Sequence, residues 1–492
     1  MKKVGKYVAI TFLLLIGLCC VGVLYLFFIP NSSLFGISYI NSNETLKSLN
    51  YNLDDVDKIN LNSLSYKVNL CATDQSVISA DVFSNSFGFV LSKTKIPTIT
   101  ASVKNKVLTF NISEPQGLAA SKNSYINLYV PSSKAFDISL KNKNAKTELN
   151  SNNLIIDNLT YETKSGDFNF TTGRVNGMLT LNIGKGKFTV ASTATMNANP
   201  LELSLTSGKF YANYSTLGNV TIKENSRGVI SIKECANVKQ NSSSSGGQIV
   251  INKLQNISLT TGDTLVNLNE VMAGATIDVT KSGSIKIGTI IGSTDIKTNS
   301  GDISINNCES IAVLHTDSGN ITVNNAKKRI SIKTNYGKAN VSFAESADSY
   351  LNDSTARVLY ATIHNGSLNA EGVEHVGITD ELNPYTIEGI NVTGNGRVNI
   401  RMNNVYGQNT IAGKNGSVNL IINDAAKYVL KTSSNSGNVR VNLLQINSYR
   451  GYTTRELKTT LVNCSESENS LSVSTGYGDL TILDTKIYEF GF

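Results

Sequence analysis

Three histidines are the first candidates for chemistry in this 492-residue chain, because imidazole is a common general base and metal ligand near neutral pH. His315, His364 and His375 are widely spaced in the sequence. None belongs to a HExxH-type pair or lies beside a cysteine that could act as a nucleophile. We therefore interpret all three as turn or surface residues.

Four aspartates follow glycines directly, and carboxylates in glycine-rich turns can bind calcium. These residues are Asp167, Asp263, Asp302 and Asp479. The sequence lacks the glycine-rich nonapeptide of calcium-binding β-rolls, and lysine or arginine follows the glycine in other repeats. We interpret the aspartates as polar turn residues, so no metal site is predicted.

The six cysteines do not form a Cys-x-x-Cys pair, so a structural zinc site is not expected; they are Cys19, Cys20, Cys71, Cys235, Cys308 and Cys464. Cys235 and Cys308 each follow a repeat glycine by seven positions. Other repeats place Leu254, Ile290 and Ala326 in the same column. Both thiols are therefore predicted to be buried. Four repeats separate them, roughly 19 Å at ~4.8 Å per strand, which is too far for a disulfide.

Other features argue against catalysis and nucleic-acid binding. "GKGKF" (184–188) and "GNGRV" (394–398) fit repeat corners rather than a phosphate-binding loop. The net charge is only +7, and lysine and arginine are scattered singly among acidic residues. The sequence predicts no enzyme, no catalytic residue, no cofactor and no nucleic-acid partner.

The glycines belong to a repeat. "SGDISI" (300–305), "SGNITV" (318–323) and "YGKANV" (336–341) each place a glycine, a polar residue and two apolar residues spaced by one. The corner glycines assigned in this way are Gly166, Gly186, Gly208, Gly228, Gly247, Gly262, Gly283, Gly301, Gly319, Gly337, Gly366, Gly396, Gly416, Gly437 and Gly478. We expect each to make a tight turn in which φ can be positive.

The residues after these glycines alternate between apolar and polar, which is typical of strands with one buried face. Two positions after each glycine, every residue except Thr264 is apolar, and four positions after it all are apolar. The intervening positions vary freely and should face outward, as in Asp302, Asn320, Lys338, Ser367, Arg397 and Ser417. The pattern therefore predicts a buried column and a solvent-facing column.

A repeat of about twenty residues with short strands and almost no helix favours a β-solenoid, in which stacked coils share one core. Each strand would then pair with the equivalent strands of the preceding and following coils. The alternative architecture is an antiparallel β-sandwich.

The N-terminus predicts one transmembrane helix, in a segment that covers residues 1–30. Lys2, Lys3 and Lys6 precede an uncharged run from Tyr7 to Ile29, which is long enough to cross a bilayer. The lysines should remain cytoplasmic, which places the rest of the chain outside. A cleaved signal peptide is the alternative, although no Ala-x-Ala cleavage site follows.

Residues 31–56 are polar and predict a stalk, in which "NETLKSLNYNL" could form a short helix. Residues 57–492 carry the strand patterns and form the predicted solenoid domain. This domain could contain two tandem units.

Residues 56–492 resemble the DUF4097 family, a candidate adhesin family of bacterial envelope proteins. The resemblance rests on "VDKINLNSLSYKVNLCATDQSVISADVFSN" (56–85), on "YINLYVPSSKAFDISLKNKNAKTELN" (125–150), and on the "SGD", "SGN" and "YGD" corners. It implies a β-solenoid-like fold in an envelope-associated protein. It implies no catalytic residue.

Together these features predict a membrane-anchored, extracytoplasmic and non-catalytic protein that binds surface glycans or envelope components as an adhesin. An envelope scaffold or stress-response accessory protein is the alternative, and a carbohydrate-active enzyme is a weaker one. An exposed face with aligned tyrosines and asparagines would favour the adhesin, whereas converging carboxylates in a groove would favour the enzyme.

Overall fold

A computed structural model of the chain describes residues 2–28, 33–34, 37–90, 99–112, 120–121, 124–243, 245–344, 357–373, 390–403, 405, 408–422, 428–443, 449–451, 459–462 and 470–486. The chain forms two compact units, Met1–Gly218 and Asn219–Phe492. Whether the solenoid domain contains two tandem family units stays a prediction.

The first unit contains the helix α1 (Lys2–Phe28) and a 3-10 turn at Leu53–Asp55. Its strands are β1 (Ser33–Leu34), β2 (Ile37–Asn52), β3 (Lys58–Leu64), β4 (Lys67–Thr73), β5 (Val77–Val90), β6 (Ile99–Lys104), β7 (Val107–Ile112), β8 (Ala120–Ser121), β9 (Tyr125–Pro131), β10 (Phe136–Asn142), β11 (Thr147–Thr163), β12 (Phe168–Val175), β13 (Leu179–Ile183), β14 (Lys187–Val190), β15 (Ala194–Met196), β16 (Leu201–Leu205) and the beginning of β17 (Lys209–Asn225).

The second unit contains the end of β17 and the remaining strands. These are β18 (Val229–Asn241), β19 (Gln248–Thr261), β20 (Leu265–Val279), β21 (Ile285–Ile290), β22 (Ser293–Thr298), β23 (Ile303–Cys308), β24 (Ala312–Thr316), β25 (Ile321–Ala326), β26 (Ile330–Thr334), β27 (Lys338–Phe343), β28 (Leu359–Ile363), β29 (Ser367–Val373), β30 (Ile390–Val392), β31 (Val398–Met402), β32 (Gln408–Gly413), β33 (Val418–Ile422), β34 (Val429–Ser434), β35 (Val439–Asn442), β36 (Tyr449–Gly451), β37 (Thr459–Val462), β38 (Ser470–Thr475) and β39 (Leu480–Asp484).

Parallel ladders of equivalent strands build both units. In the second unit, β21, β23, β25, β27, β29, β31 and β33 pair in succession, with Ile303 opposite Ile321 and Ile321 opposite Ala339. A companion ladder joins β22, β24, β26, β28, β30 and β32. Consecutive parallel pairing through the repeat confirms the β-solenoid and is incompatible with an antiparallel sandwich.

The predicted buried columns form the core. Every residue two or four positions after a predicted corner glycine is buried, from Phe168 and Phe170 in the first unit to Leu480 and Ile482 in the second. Alternation of apolar and polar residues thus sets which face of each strand packs inward. Within each unit the core is a stack of side chains, because each coil repeats the same inward positions.

One assigned corner was wrong. Gln248 pairs with Leu265, which places Thr264 rather than Gly262 at the corner aligned with Gly247. The apolar residues of this coil are therefore Val266 and Leu268, which pair with Ile285 and Ile287. This shift of two positions explains why Thr264 was the one polar residue in an otherwise apolar column.

The coils at each end of the repeat do not stack in sequence order, contrary to the prediction. In the first unit, β3 lies between β7 and β10, and β4 lies between β9 and β11. In the second unit, β39 lies between β33 and β35, and β38 lies between β32 and β34. At each end, the coil nearest to the sequence terminus of the repeat therefore has a strand partner on both sides.

Antiparallel strands cover the outermost coils. β6 pairs with β7 and β5 pairs with β9 in the first unit, whereas β36 pairs with β35 and β37 pairs with β34 in the second. An open strand edge presents unpaired N–H and C=O groups that promote aggregation. These antiparallel strands provide hydrogen-bond partners for the backbone N–H and C=O groups at the edges of the outermost coils.

The segment predicted to be a polar stalk is largely a strand. β2 (Ile37–Asn52) pairs with β5 along most of its length, from Ser38 opposite Val90 to Asn52 opposite Val77. The short helix predicted for "NETLKSLNYNL" was therefore wrong, because long-range pairing with β5 overrides the weak local helical pattern. Among the residues that the structure describes, no helix is both long enough and apolar enough to cross a membrane.

Candidate functional site

The corner glycines stack directly on one another, and this stacking explains the residue type. A methyl group built at Gly319 would overlap the carbonyl oxygen of Gly301, and one built at Gly337 would overlap that of Gly319. Of the described corner glycines, only Gly247 has a positive φ, 86°. The predicted reason, a positive φ, was therefore wrong for most corners, because glycine is needed for close approach between coils.

A buried hydroxyl three residues before the glycine secures many of these corners. The Gly319 N–H donates to Thr316 Oγ1 at 2.9 Å, and the Gly337 N–H donates to Thr334 Oγ1 at 3.1 Å. Thr298 Oγ1 in turn donates to the carbonyl of Gly301 at 2.6 Å. This hydroxyl column was not predicted, although the threonine that recurs in "TNSG", "TDSG" and "TNYG" indicates it.

The polar residue after the corner glycine links one coil to the next. Asp302 Oδ1 accepts the backbone N–H of Asn320 at 2.7 Å, and Asn320 Oδ1 accepts that of Lys338 at 3.0 Å. Asp167 and Asp479 accept backbone N–H groups in the same way, from Lys187 and Asn438. These aspartates therefore stabilise the stacking of the coils.

Asp263 differs because its corner is displaced. Its Oδ1 accepts the Ser282 hydroxyl at 2.8 Å and the Ser282 backbone N–H at 3.2 Å. These hydrogen bonds, with help from Lys281, lower the pKa of the carboxyl group. Within the described part of the chain, no group of three or more histidine, cysteine or acidic side chains is placed to hold a metal ion.

A ladder of asparagines lies on the outer face, two positions further along. Asn369 Nδ2 donates to Asn340 Oδ1 at 2.8 Å, Asn399 to Asn369 at 2.7 Å, and Asn419 to Asn399 at 2.8 Å. Stacked amides of this kind satisfy one another along a parallel sheet. They leave a regular row of amide groups at the surface of four adjacent coils.

The outer face of β23, β25 and β27 forms a shallow polar depression. Its lining consists of Asp302, Ile303, Ser304, Asn320, Thr322, Lys338 and Asn340. Three of the residues predicted to face outward, Asp302, Asn320 and Lys338, line this depression and are exposed. Side chains that carry hydroxyl, amide, carboxylate and ammonium groups can donate and accept hydrogen bonds there.

The residue immediately before the corner glycine creates a second surface, which we name the Tyr–Asn edge. In spatial order it consists of Tyr336, Asn365, Asn395, Asn415 and Tyr477, all of which are exposed. The coil order follows from backbone hydrogen bonds that join Asn365 N to Asn335 O, Thr393 N to Ile363 O, Asn415 N to Gly394 O, and Tyr477 N to Lys414 O.

The two tyrosines are among the most exposed aromatic side chains described, at 63% for Tyr336 and 70% for Tyr477. They lie at the two ends of the edge, four coils apart, which is roughly 19 Å at ~4.8 Å per coil. The sequence alone could not show this alignment, because Tyr477 belongs to a coil that is out of sequence order.

The two histidines that the structure describes do not form a site. His315 lies on β24 between Lys297 and Lys333, and partial burial, reinforced by both lysines, lowers its pKa. His364 is exposed two coils away, with Nδ1 2.6 Å from Thr393 Oγ1. His375 lies outside the described residues.

Two of the cysteines lie in the core of the second unit. Cys235 and Cys308 are buried free thiols, and four strand pairings separate them, through Leu254, Val271 and Ile290. The predicted column and the predicted spacing are therefore confirmed. Cys71 is half-buried, and Cys464 lies outside the described residues.

The arrangement provides an extended surface for reversible, non-covalent contacts. The Tyr–Asn edge and the depression meet at one corner, because Tyr336 and Lys338 flank Gly337. Tyrosine rings offer apolar faces with a polar tip, and amides offer both donors and acceptors.

The chain was compared with known proteins. No curated protein matches it. A solved structure of a candidate adhesin from Parabacteroides merdae is 13% identical, with 56% of this chain and 95% of that chain covered and a TM-score of 0.33. A candidate adhesin from Bacteroides fragilis is 12% identical, with 61% and 97% covered and a TM-score of 0.23. A candidate lipid-binding protein from Parabacteroides distasonis is 12% identical, with 73% and 98% covered and a TM-score of 0.17.

The comparison with family models identifies the family of this chain. The Toastrack DUF4097 family model matches residues 56–287 and 364–483, which together make up more than half of the chain. These ranges include the opening strands and the later glycine corners on which the sequence resemblance rested. The chain therefore belongs to the Toastrack DUF4097 family.

Proposed function

We propose that this protein is a non-catalytic, adhesin-like surface protein that binds glycans along the Tyr–Asn edge. The observation that carries the proposal is the alignment of Tyr336 and Tyr477 with three intervening asparagines on five adjacent coils. Family membership and the adhesin descriptions of the relatives are consistent with it.

The chemistry of the edge fits a carbohydrate. The apolar C–H faces of a sugar ring can pack on an exposed tyrosine ring, and sugar hydroxyls both donate and accept hydrogen bonds, as the asparagine amides do. An edge of roughly 19 Å accommodates an extended oligosaccharide rather than a single sugar. The edge carries no acidic side chain, so neither metal binding nor general acid catalysis is needed to explain it.

Binding would be distributed over several coils. Each aromatic or amide contact is weak, and several contacts on one rigid array add to a useful affinity. The polar depression beside Gly337 extends the same surface toward Asn320 and Asp302. Single substitutions of outward-facing polar residues, such as Asn320→Ala or Ser417→Ala, should therefore weaken binding only slightly.

The proposal also places the solenoid outside the cell, with the uncharged sequence run from Tyr7 to Ile29 as its membrane anchor. Lys2, Lys3 and Lys6 precede an uncharged run, which favours cytoplasmic lysines. Phe12, Leu13, Leu14 and Leu15 cover all sides of the helix and are exposed by 59% or more. A helix that is apolar all round is favoured in an apolar environment such as a bilayer.

The glycan test compares tyrosine variants of the full chain on an array of neutral and charged oligosaccharides and polysaccharides. Tyr336→Ala and Tyr477→Ala should each weaken binding roughly tenfold, about 1.4 kcal/mol, and the double variant should weaken it further. Tyr214→Ala is the matched control, because Tyr214 is 66% exposed but lies on β17 in the first unit and does not belong to the edge. Equal loss for all three variants, or no loss for any, would contradict the proposed surface.

Location is tested separately. Protease added to intact cells should digest the solenoid domain, whereas a cytoplasmic marker protein should remain whole. Protection of the domain until the cells are lysed would overturn the proposed orientation.

A further inference from the structure

Three successive coils carry an asparagine followed by the corner glycine. The pairs are Asn365–Gly366, Asn395–Gly396 and Asn415–Gly416, and all three asparagines are exposed. They are the central members of the Tyr–Asn edge. The chemistry of this dipeptide makes the repetition notable, whatever ligand the edge binds.

Asparagine followed by glycine is the dipeptide that is most prone to spontaneous deamidation. The backbone nitrogen of the glycine attacks the side-chain Cγ of the asparagine, the C–N bond of the amide breaks, and ammonia leaves. Water then opens the resulting succinimide to aspartate or isoaspartate. Glycine favours the reaction because it has no side chain to hinder attack, whereas a hydrogen bond that holds its N–H opposes it.

Four other described corners of the second unit, at Gly228, Gly319, Gly337 and Gly437, hold the glycine N–H through a side-chain oxygen. The Gly319 N–H donates to Thr316 Oγ1, the Gly337 N–H to Thr334 Oγ1, and the Gly437 N–H to Ser434 Oγ at 2.9 Å. In the ladder, the residues aligned after Thr334 are Ile363, Val392 and Gly413, none of which carries a hydroxyl group.

The loss of this hydroxyl coincides with the three Asn–Gly pairs. Within the described residues, the N–H groups of Gly366, Gly396 and Gly416 have no hydrogen-bond acceptor. In these coils, therefore, no hydrogen bond restrains the glycine nitrogen from attacking the side-chain amide of the preceding asparagine.

A fourth Asn–Gly pair, in the first unit, has a glycine N–H that is hydrogen-bonded. Asn176 is also exposed and is followed by Gly177, but the Gly177 N–H donates to the carbonyl of Asp157 at 2.7 Å. Attack by this nitrogen requires that hydrogen bond to open first. The glycine N–H of the Asn–Gly pair is therefore hydrogen-bonded in the first unit, whereas it is not hydrogen-bonded in the three pairs of the second unit.

We propose that Asn365, Asn395 and Asn415 are sites of spontaneous deamidation, which converts the middle of the Tyr–Asn edge from neutral amides to carboxylates. Each event adds one negative charge, and water is the only co-reactant. Complete reaction places three carboxylates on adjacent coils, about 5 Å apart from strand to strand, where they repel one another. Isoaspartate also lengthens the backbone at the corner and so disturbs the stacking of the glycines.

The test follows each asparagine by peptide mass spectrometry while the folded full-length protein ages in mildly alkaline buffer. We expect Asn365, Asn395 and Asn415 to react, and Asn176 to react roughly tenfold more slowly, as expected when a hydrogen bond must open first. In a denatured sample all four should react at similar rates, because all four are Asn–Gly pairs. The proposal is wrong if Asn176 deamidates as fast as the three edge asparagines in the folded protein, or if the three edge asparagines react only after denaturation.

Two variants isolate the cause. Ile363→Thr places a hydroxyl at the position that holds the glycine N–H in neighbouring coils, so it should slow reaction at Asn365 but not at Asn415. Asn365→Gln should abolish reaction at this position alone, because glutamine forms a larger ring much more slowly. Circular dichroism would verify that both variants are folded. Unchanged rates at Asn365 in a folded Ile363→Thr variant would refute the role of the missing hydroxyl. The experiment does not depend on glycan binding, so its outcome is separable from that of the proposed function.

Discussion

Gly437 stacks on Gly478, not on Gly416, although Gly416 precedes it in the sequence of corners. A methyl group at Gly437 would overlap the carbonyl oxygen of Gly478, and one at Gly478 would overlap that of Gly416. Asp479 Oδ1 also accepts the backbone N–H of Asn438 at 2.9 Å. The last coil in the sequence is therefore an internal coil of the stack.

Deletion of residues 470–492 should consequently damage more than the deleted coil. The deletion removes β38 and β39, so β34 and β35 lose their parallel partners. Hydrogen exchange should show loss of protection throughout 429–442. Truncation after Lys486 is the control, because it retains both strands. Full protection of 429–442 in the longer deletion would contradict the observed coil order.

Gly319→Ala should destabilise the second unit, although alanine usually favours ordered structure over glycine. The added methyl group overlaps the carbonyl oxygen of Gly301, and overpacking of this kind costs about 1–3 kcal/mol. Ser318→Ala changes the exposed neighbouring residue and should be nearly neutral. Denaturant unfolding of both variants provides the comparison, and equal stabilities would rule out the close-approach explanation.

Ile303→Asp should unfold the coils around β23. Ile303 is 1% exposed and packs in the continuous core, where an unpaired carboxylate is strongly unfavourable. The expected loss exceeds about 4 kcal/mol. Ser304→Asp introduces the same charge one residue away, on the outer face, and should leave the circular dichroism spectrum and the unfolding midpoint nearly unchanged. A stable Ile303→Asp protein would show that the assigned inward face is wrong.

Cys235 and Cys308 should resist alkylation in the folded protein. Burial is the main cause that raises the pKa of Cys235 to about 12 and that of Cys308 to about 11, from an ordinary value of 9.0. Cys71 is half-buried, and burial raises its pKa as well, but its greater exposure should make it react sooner. Mass spectrometry after timed labelling measures the order. Labelling of Cys308 as fast as in denatured protein would contradict its burial.

The same shifts give a pH dependence with a definite sign. Both thiols keep their proton to a higher pH in the folded chain than in the unfolded chain, where a thiol with the ordinary pKa of 9.0 is half ionised at that pH. Their contribution to the free energy of unfolding is therefore intact below pH 9 and is lost as the pH rises toward 11–12. Cys308→Ala should make the alkaline decline shallower.

Much of the fold was predictable because its determinants are local. Alternating residues such as Ile303 and Ile305 identify the buried face, and the recurring glycine identifies the corner. The prediction failed at Thr264, because this corner is not a glycine and the sequence pattern points to the nearby Gly262 instead. It failed again at Ile37–Asn52, because the strand forms only by pairing with the distant β5.

The sequence by itself determined the period-two strands, the buried columns and the corner that each coil must turn, because these depend on residues within one repeat. Only the tertiary structure decided which coils are neighbours. All coils present the same parallel edge, so local pattern does not select the partner of β39 or place Tyr477 in line with Tyr336. The choice depends on covering the edges of the outermost coils and on long connections between them, which are properties of the whole stack.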